Sequence, residues 1–189
     1  MRKMVGFFVL FVLFALPAAA QDTPKLEVFG GYQYLHWDLS GGAINMNGFD
    51  ASGTYNFNRW VGFSADISGA YNNSGIQGTT HIYNYMFGPT LYPLGHHRIT
   101  LFVHGLAGDG HIHVNVPASG GLPGFTLTDT GFVWAAGGGF DATITRHIAV
   151  RLFQGDYEQT QFLQDQNLGG FPTQKNIRIA AGIVFRLGN

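Results

Sequence analysis

From residue 26 onward the chain alternates apolar and polar side chains with a period of two, the pattern of β-strands whose two faces meet different surroundings. The stretch Lys175 to Leu187 shows it most clearly. Ile177, Ile179, Ala181, Ile183, Phe185 and Leu187 share one face, and Asn176, Arg178, Ala180, Gly182, Val184 and Arg186 share the other. Similar alternation predicts seven earlier strands, over residues 26–37, 47–57, 60–71, 83–91, 98–108, 128–143 and 147–157. In the first, Glu27, Phe29, Gly31, Gln33 and Leu35 oppose Leu26, Val28, Gly30, Tyr32 and Tyr34. The second and third form the cleanest hairpin, and each carries an acid, Asp50 or Asp66, on its polar face. The fifth is apolar in both registers, so its faces are not assigned. Pro89 cannot donate to a ladder and suggests a bulge in the fourth strand. The alternation falters again around 153–155, which suggests a second bulge.

The connections alternate in length. Asn58-Arg59, 93–97 and Thr145-Arg146 read as tight turns. The stretches from Asp38, from Asn72, over 109–125 and over 158–173 read as longer loops rich in Gly, Pro and polar residues. Short turns at one end and longer loops at the other are what an up-and-down barrel across an outer membrane requires. An even strand number places both ends of the sheet on the periplasmic side.

Composition narrows the setting. Arg2 and Lys3, the apolar run from Val5 to Leu16 and Pro17-Ala18-Ala19-Ala20 read as a secretory signal peptide over residues 1–20, leaving a single domain over 21–189. There is no cysteine, so no disulfide framework supports the exported chain. Without Arg2 and Lys3, eight Lys and Arg face eleven Asp and Glu, a balance that gives no basic surface for nucleic acid. Charged residues make up 11% of the chain, against about a quarter in ordinary soluble domains. Two architectures fit an exported, glycine- and aromatic-rich chain of this kind. One is a closed barrel in the outer membrane; the other is a soluble lipocalin-like ligand-binding barrel in the periplasm. Alternation alone does not separate inside from outside. The low charge and the arginines on the minority face favour the first. So do Tyr32, Tyr34, Trp37, Tyr55, Phe57, Trp60, Tyr71, Tyr83, Tyr92 and Tyr157, which gather near strand ends as the aromatic girdles of a membrane barrel do.

The export signal, the eight strands, the loop asymmetry, Gly30-Gly31-Tyr32, Gly137-Gly138-Gly139-Phe140-Asp141 and the ending Gly182-Ile183-Val184-Phe185-Arg186-Leu187 together resemble the small eight-stranded outer-membrane β-barrel family, of the OmpA/OmpX type. The resemblance covers the whole mature chain. It implies an all-β fold, a closed eight-stranded antiparallel up-and-down transmembrane β-barrel, in the bacterial outer membrane. It implies outer-membrane lipid as surroundings, the barrel-assembly machinery and periplasmic chaperones as partners during biogenesis, a monomeric state, and no catalytic residues.

The candidate chemistry is that of an enclosed charge network. Glu27, Asp66, Asp141, Arg151, Arg178 and Arg186, with Asp50, would project into one narrow lumen, where each charge must be paired or hydrated. Such a network rigidifies the barrel; its rival reading is a narrow pore for small solutes. His111 and His113 share a face in an extended segment, but without Cys or an acidic cluster they give no assigned metal site. There is no Gly-x-Ser-x-Gly, and Gly137-Gly138-Gly139 precedes no helix, so neither a catalytic residue nor a cofactor site is expected. The expected role is structural or surface-interacting, carried by the outer loops.

Overall fold

The computed structural model describes residues 23–39, 42–74, 78–118, 123–162 and 173–188. The predicted signal peptide lies outside these residues. The alternating stretches form eight strands: β1 (Leu26–Leu39), β2 (Gly42–Asn56), β3 (Val61–Ser74), β4 (Gly78–Leu91), β5 (Ile99–Val116), β6 (Phe125–Thr143), β7 (Ile148–Thr160) and β8 (Gln174–Leu187). Each is antiparallel to the next, and β8 returns to β1 to close the barrel. Closure pairs every strand on both sides, so no edge remains to be covered.

Period two then sorts the side chains by face. On β8, Ile177, Ile179, Ile183, Phe185 and Leu187 point out, while Asn176, Arg178, Val184 and Arg186 are buried inside. The fifth strand's ambiguity resolves the same way: Ile99, Leu101 and Val103 face outward, and Thr100 and Phe102 face the lumen. The outer wall is thus apolar around the whole barrel, with Val28, Phe49, Phe63, Ile67, Phe87, Leu91 and Phe132 among its exposed side chains. In water this would be a very large exposed patch; against lipid it is the wall the barrel requires.

Several boundaries differ from the sequence expectation. β5 runs through Asp109 and on to Val116, a stretch expected to be loop. A side chain at Gly110 would collide with Val133, Asn84 and Phe162, so glycine there permits close packing within a continuing strand. β2 and β4 likewise begin at Gly42 and Gly78, five residues earlier than expected, which reduces the first two outer connections to short links. Pro89 makes no bulge: the β4–β5 register is the same on both sides of it, Phe87 facing Ala107 and Thr90 facing His104. The β4–β5 ladder passes over Gly88 and Pro89, and Pro89 keeps its place opposite Phe63 in the β3–β4 ladder. The bulge expected near 153–155 is present. The β7–β8 register shifts between Arg151 and Gln154, and Leu152 and Phe153 both point outward. Trp37 and Tyr92 leave the expected girdle, because both side chains are buried inside the barrel.

The interior is layered. Toward the outer loops an apolar cluster fills the lumen, formed by Leu35, Met46, Ile82, Met86, Ile112 and Val133 with Phe162, which turns in just beyond β7. A smaller cluster of Phe29, Ala149, Ala180 and Val184 lies nearer the opposite end. Charged groups occupy much of the remainder.

Candidate functional site

The lumen holds three linked groups of charges, each centred on one arginine. The first lies at the seam where β1 meets β8. Glu27 and Arg186 are register partners there, both on inward-facing positions. Arg186 donates from Nε to Glu27 Oε1 at 2.7 Å, from Nη1 to Thr143 Oγ1 at 2.6 Å and from Nη2 to Thr100 Oγ1 at 3.2 Å. Glu27 Oε2 accepts from the Tyr92 hydroxyl at 2.8 Å, with His96 Nε2 at 3.5 Å. Tyr92 sits in the turn after β4, and burial, reinforced by the Glu27 carboxylate, pushes its phenol well above the ordinary range. It therefore remains a donor.

The second group is centred on Arg151 of β7. Its Nε and Nη2 donate to Asp141 Oδ1 and Oδ2 at 2.9 and 3.2 Å, a fork-to-fork pair, and Nη1 donates to Gln154 Oε1 at 2.7 Å. The guanidinium carbon lies 4.3 Å from the ring centre of Phe29 and 4.1 Å from that of Phe102, so two aromatic faces cover it.

The third group crosses the barrel. Arg178 of β8 is wholly buried. It donates from Nε to Asp156 Oδ2 at 2.8 Å and from Nη1 to Asp66 Oδ1, on β3, at 2.9 Å. His104 Nε2 lies 2.8 Å from Asp156 Oδ1. Gln154 Nε2 donates to Asp156 Oδ2 at 2.8 Å and reaches Asp50 Oδ2 at 3.3 Å, which joins the second group to the third.

Glu27, Asp66, Asp141, Arg151, Arg178 and Arg186 therefore all lie within the lumen, but in three groups rather than one. Sequence reading missed Asp156, Glu158, Gln154, Tyr92, His96 and His104. The first three follow the bulge, and continuing the alternation from Gln154 to Thr160 would have found them. Tyr92 and His96 come from a turn folded into the barrel mouth, where alternation gives no signal. Among the described residues the buried carboxylates Glu27, Asp50, Asp66, Asp141, Asp156 and Glu158 outnumber the buried arginines Arg151, Arg178 and Arg186. Glu158 Oε2 has no hydrogen-bond partner.

A void beside Asp66, Tyr92, His104 and Arg151 has about 10 Å³, close to what one water molecule needs. At the mouth on the turn side, a cleft of about 270 Å³ is lined by Thr23, Arg59, Trp60, Leu94, His96 and His97. His111 and His113 share the outer wall of β5, bonded to Thr130 and Thr128 of β6. No group of three or more His, Cys, Asp or Glu among the described residues is placed to hold a metal ion.

This architecture recurs in solved structures. The attachment invasion locus protein Ail of Yersinia pestis superposes with a TM-score of 0.62 at 18% identity, covering 86% of this chain and 99% of Ail. Neisserial surface protein A gives 0.63 at 12% identity over 86% of this chain and 97% of its own. OprG from Pseudomonas aeruginosa gives 0.53 at 11%, over 92% and 100%. At these identities the likeness is one of fold. No curated protein matches the sequence. The sequence does match a family described as the outer membrane protein beta-barrel domain, over residues 6–185, and the chain belongs to that family.

Proposed function

We propose that this protein is an integral, monomeric protein of the bacterial outer membrane with a structural or surface-interacting role, and that it is neither an enzyme nor an open pore. The observation that carries the reading is the filled lumen. Among the described residues, apolar side chains including Phe162 occupy its outer half, three arginine-centred groups occupy much of the rest, and a void beside Asp66 and Arg151 has about 10 Å³. Such an interior favours a rigid support over a conduit. Among the described residues it holds no nucleophile oriented by a base and open to substrate, the arrangement that covalent catalysis needs. The partners of this reading are outer-membrane lipid and, during biogenesis, the barrel-assembly machinery and periplasmic chaperones.

The interacting part would be the β5–β6 hairpin and the segment between β7 and β8. β5 and β6 have 18 and 19 residues, whereas a tilted strand crosses the bilayer in about 9–11. The excess stands clear of the membrane and offers an exposed aromatic, Phe125, beside polar strand ends. Two measurements test the proposal. Carbonate and high-salt washes should leave the mature protein in the membrane fraction; release without detergent would favour the soluble barrel. Reconstitution in planar bilayers should give no steady conductance, and a persistent open level would favour the pore.

A further inference from the structure

The geometry points to a surface site for a borderline divalent transition metal ion, held between His81 of β4 and His113 of β5. These two residues are direct partners in the β4–β5 ladder. Strand alternation puts both on the outer wall, since their neighbours Thr80, Ile82 and Ile112 are buried inside. Facing positions of an antiparallel pair hold their Cβ atoms only about 4.5–5.5 Å apart. The two imidazole centres are 6.4 Å apart with 42° between ring planes. A zinc ion sits about 2.0–2.1 Å from each ligating nitrogen, so two rings sharing an ion have centres roughly 5–6.5 Å apart. The pair already lies at the upper end of that range, and a small side-chain rotation closes it.

The surroundings orient the rings. His113 Nδ1 is 3.0 Å from Thr128 Oγ1 on β6, which leaves Nε2 as the outward-facing nitrogen. A hydrogen bond at one ring nitrogen fixes the other as the ligand. His81 packs edge-on against Tyr71 of β3, ring centres 5.3 Å apart. Tyr71 in turn packs edge-on against Tyr83, two residues along β4 from His81. The ring is thus confined on one side by an aromatic and faces His113 on the other. His111 lies two positions from His113, with Nδ1 at 2.8 Å from Thr130 Oγ1. It does not converge with the other two, and the remaining coordination positions belong to water. A two-nitrogen site of this kind selects Zn²⁺, Cu²⁺ or Ni²⁺ over the oxygen-seeking Mg²⁺ and Ca²⁺. It lies in the loop-side part of β4 and β5, where a bound ion would clip the two strands together.

The test uses the mature, tag-free protein refolded in detergent micelles and titrated calorimetrically with zinc chloride. The expected result is saturable binding of one ion per chain in the micromolar range, with no comparable uptake of Mg²⁺ or Ca²⁺. His81→Asn or His113→Asn should each weaken binding by at least about tenfold, and Thr128→Val should weaken it less. His97→Asn, in the turn at the other end, should leave it unchanged. Retention of heat-modifiable gel mobility checks that each variant is folded. The unaltered protein provides an independent readout: bound Cu²⁺ should show nitrogen couplings from two imidazoles in its electron paramagnetic resonance spectrum. The proposal is overturned by an absence of saturable zinc binding, by binding that survives the His81→Asn/His113→Asn double substitution, or by a copper spectrum with fewer than two coupled imidazoles.

Discussion

Arg186 Nε lies 2.7 Å from Glu27 Oε1, and these two residues face each other across the junction of the last strand with the first. The bond joins positions 159 residues apart in sequence, at the seam that turns a curved sheet into a barrel. Thr100 and Thr143 bind the rest of the guanidinium, and Tyr92 holds the second carboxylate oxygen. Both charges are therefore almost fully satisfied without bulk water, the condition under which an enclosed ion pair is tolerated.

Arg186→Met leaves Glu27 buried without its guanidinium partner. The expected cost is about 3–5 kcal/mol, the usual penalty for stranding one member of a buried pair. Adding Glu27→Gln to that variant should recover most of the loss. Urea titration in lipid vesicles, followed by tryptophan fluorescence, measures both, and a double variant no more stable than the single would show that the pair is not coupled.

Arg178 and Glu158 should respond in opposite directions. Arg178→Met strands Asp66 and Asp156 together, and a loss of similar size, about 3–5 kcal/mol, is expected in the same titration. Glu158 is a fully buried carboxylate in a lumen with more acids than arginines, and one of its oxygens lacks a partner. Glu158→Gln removes that charge and keeps the shape, so it should be neutral or stabilising by about 1 kcal/mol. A marked loss of stability on Glu158→Gln would mean that the carboxylate has an ionic role in the lumen.

Two glycines near the seam give a matched pair. A Cβ at Gly182, which faces inward, would lie 2.3 Å from the Gly30 carbonyl oxygen and 2.4 Å from Gly31 Cα. At Gly30, which faces out, a Cβ would meet nothing within 4 Å. Gly182→Ala should therefore cost about 1–3 kcal/mol through backbone displacement, while Gly30→Ala should be nearly neutral. Equal midpoints for the two variants in urea would contradict the close approach of β8 to β1.

The outer wall can be probed with one charge. Ile183 is exposed on β8 between Gly30 of β1 and Val150 of β7. Ile183→Arg should destabilise the barrel in vesicles by about 2–4 kcal/mol, the cost of an arginine on the lipid face near the midplane. An unchanged folding free energy would place this wall outside the hydrocarbon.

The in/out assignment was legible wherever lipid imposes it. On β8 the residues from Ile177 to Leu187 alternate cleanly, so the pattern puts Arg178 and Arg186 on one face, and the low charge of the chain identifies that face as the inner one. Above the membrane that constraint disappears. His111, His113 and Asn115 point outward while Ile112 points inward, so the loop-side part of β5 shows the reverse pattern, and sequence reading ends the strand at Gly108. The apolar filling of the outer lumen was equally hard to see. Ile82, Met86 and Val133 face inward between outward aromatic residues, and such a run carries no apolar–polar period; Met46 lies before the expected start of the second strand. The contacts of Tyr92, His96 and Phe162 depend on how turns fold into the barrel mouths, which no local pattern encodes.

The extra residue in β7 sets the frame for everything after it. Arg151 has an odd number and Gln154, Asp156, Glu158 and Thr160 have even ones, yet all five face inward because Leu152 and Phe153 spend two consecutive positions outside. Counting along the strand, the polypeptide changes phase once. Strict alternation through the same residues would turn Gln154, Asp156 and Glu158 toward hydrocarbon, whereas deleting Phe153 would remove the extra residue and leave Arg151 and Asp156 both inward in unbroken alternation. The distance in sequence between Arg151 and Asp156 thus acts as information in its own right: it is odd, so only a strand that carries one extra residue turns both side chains inward.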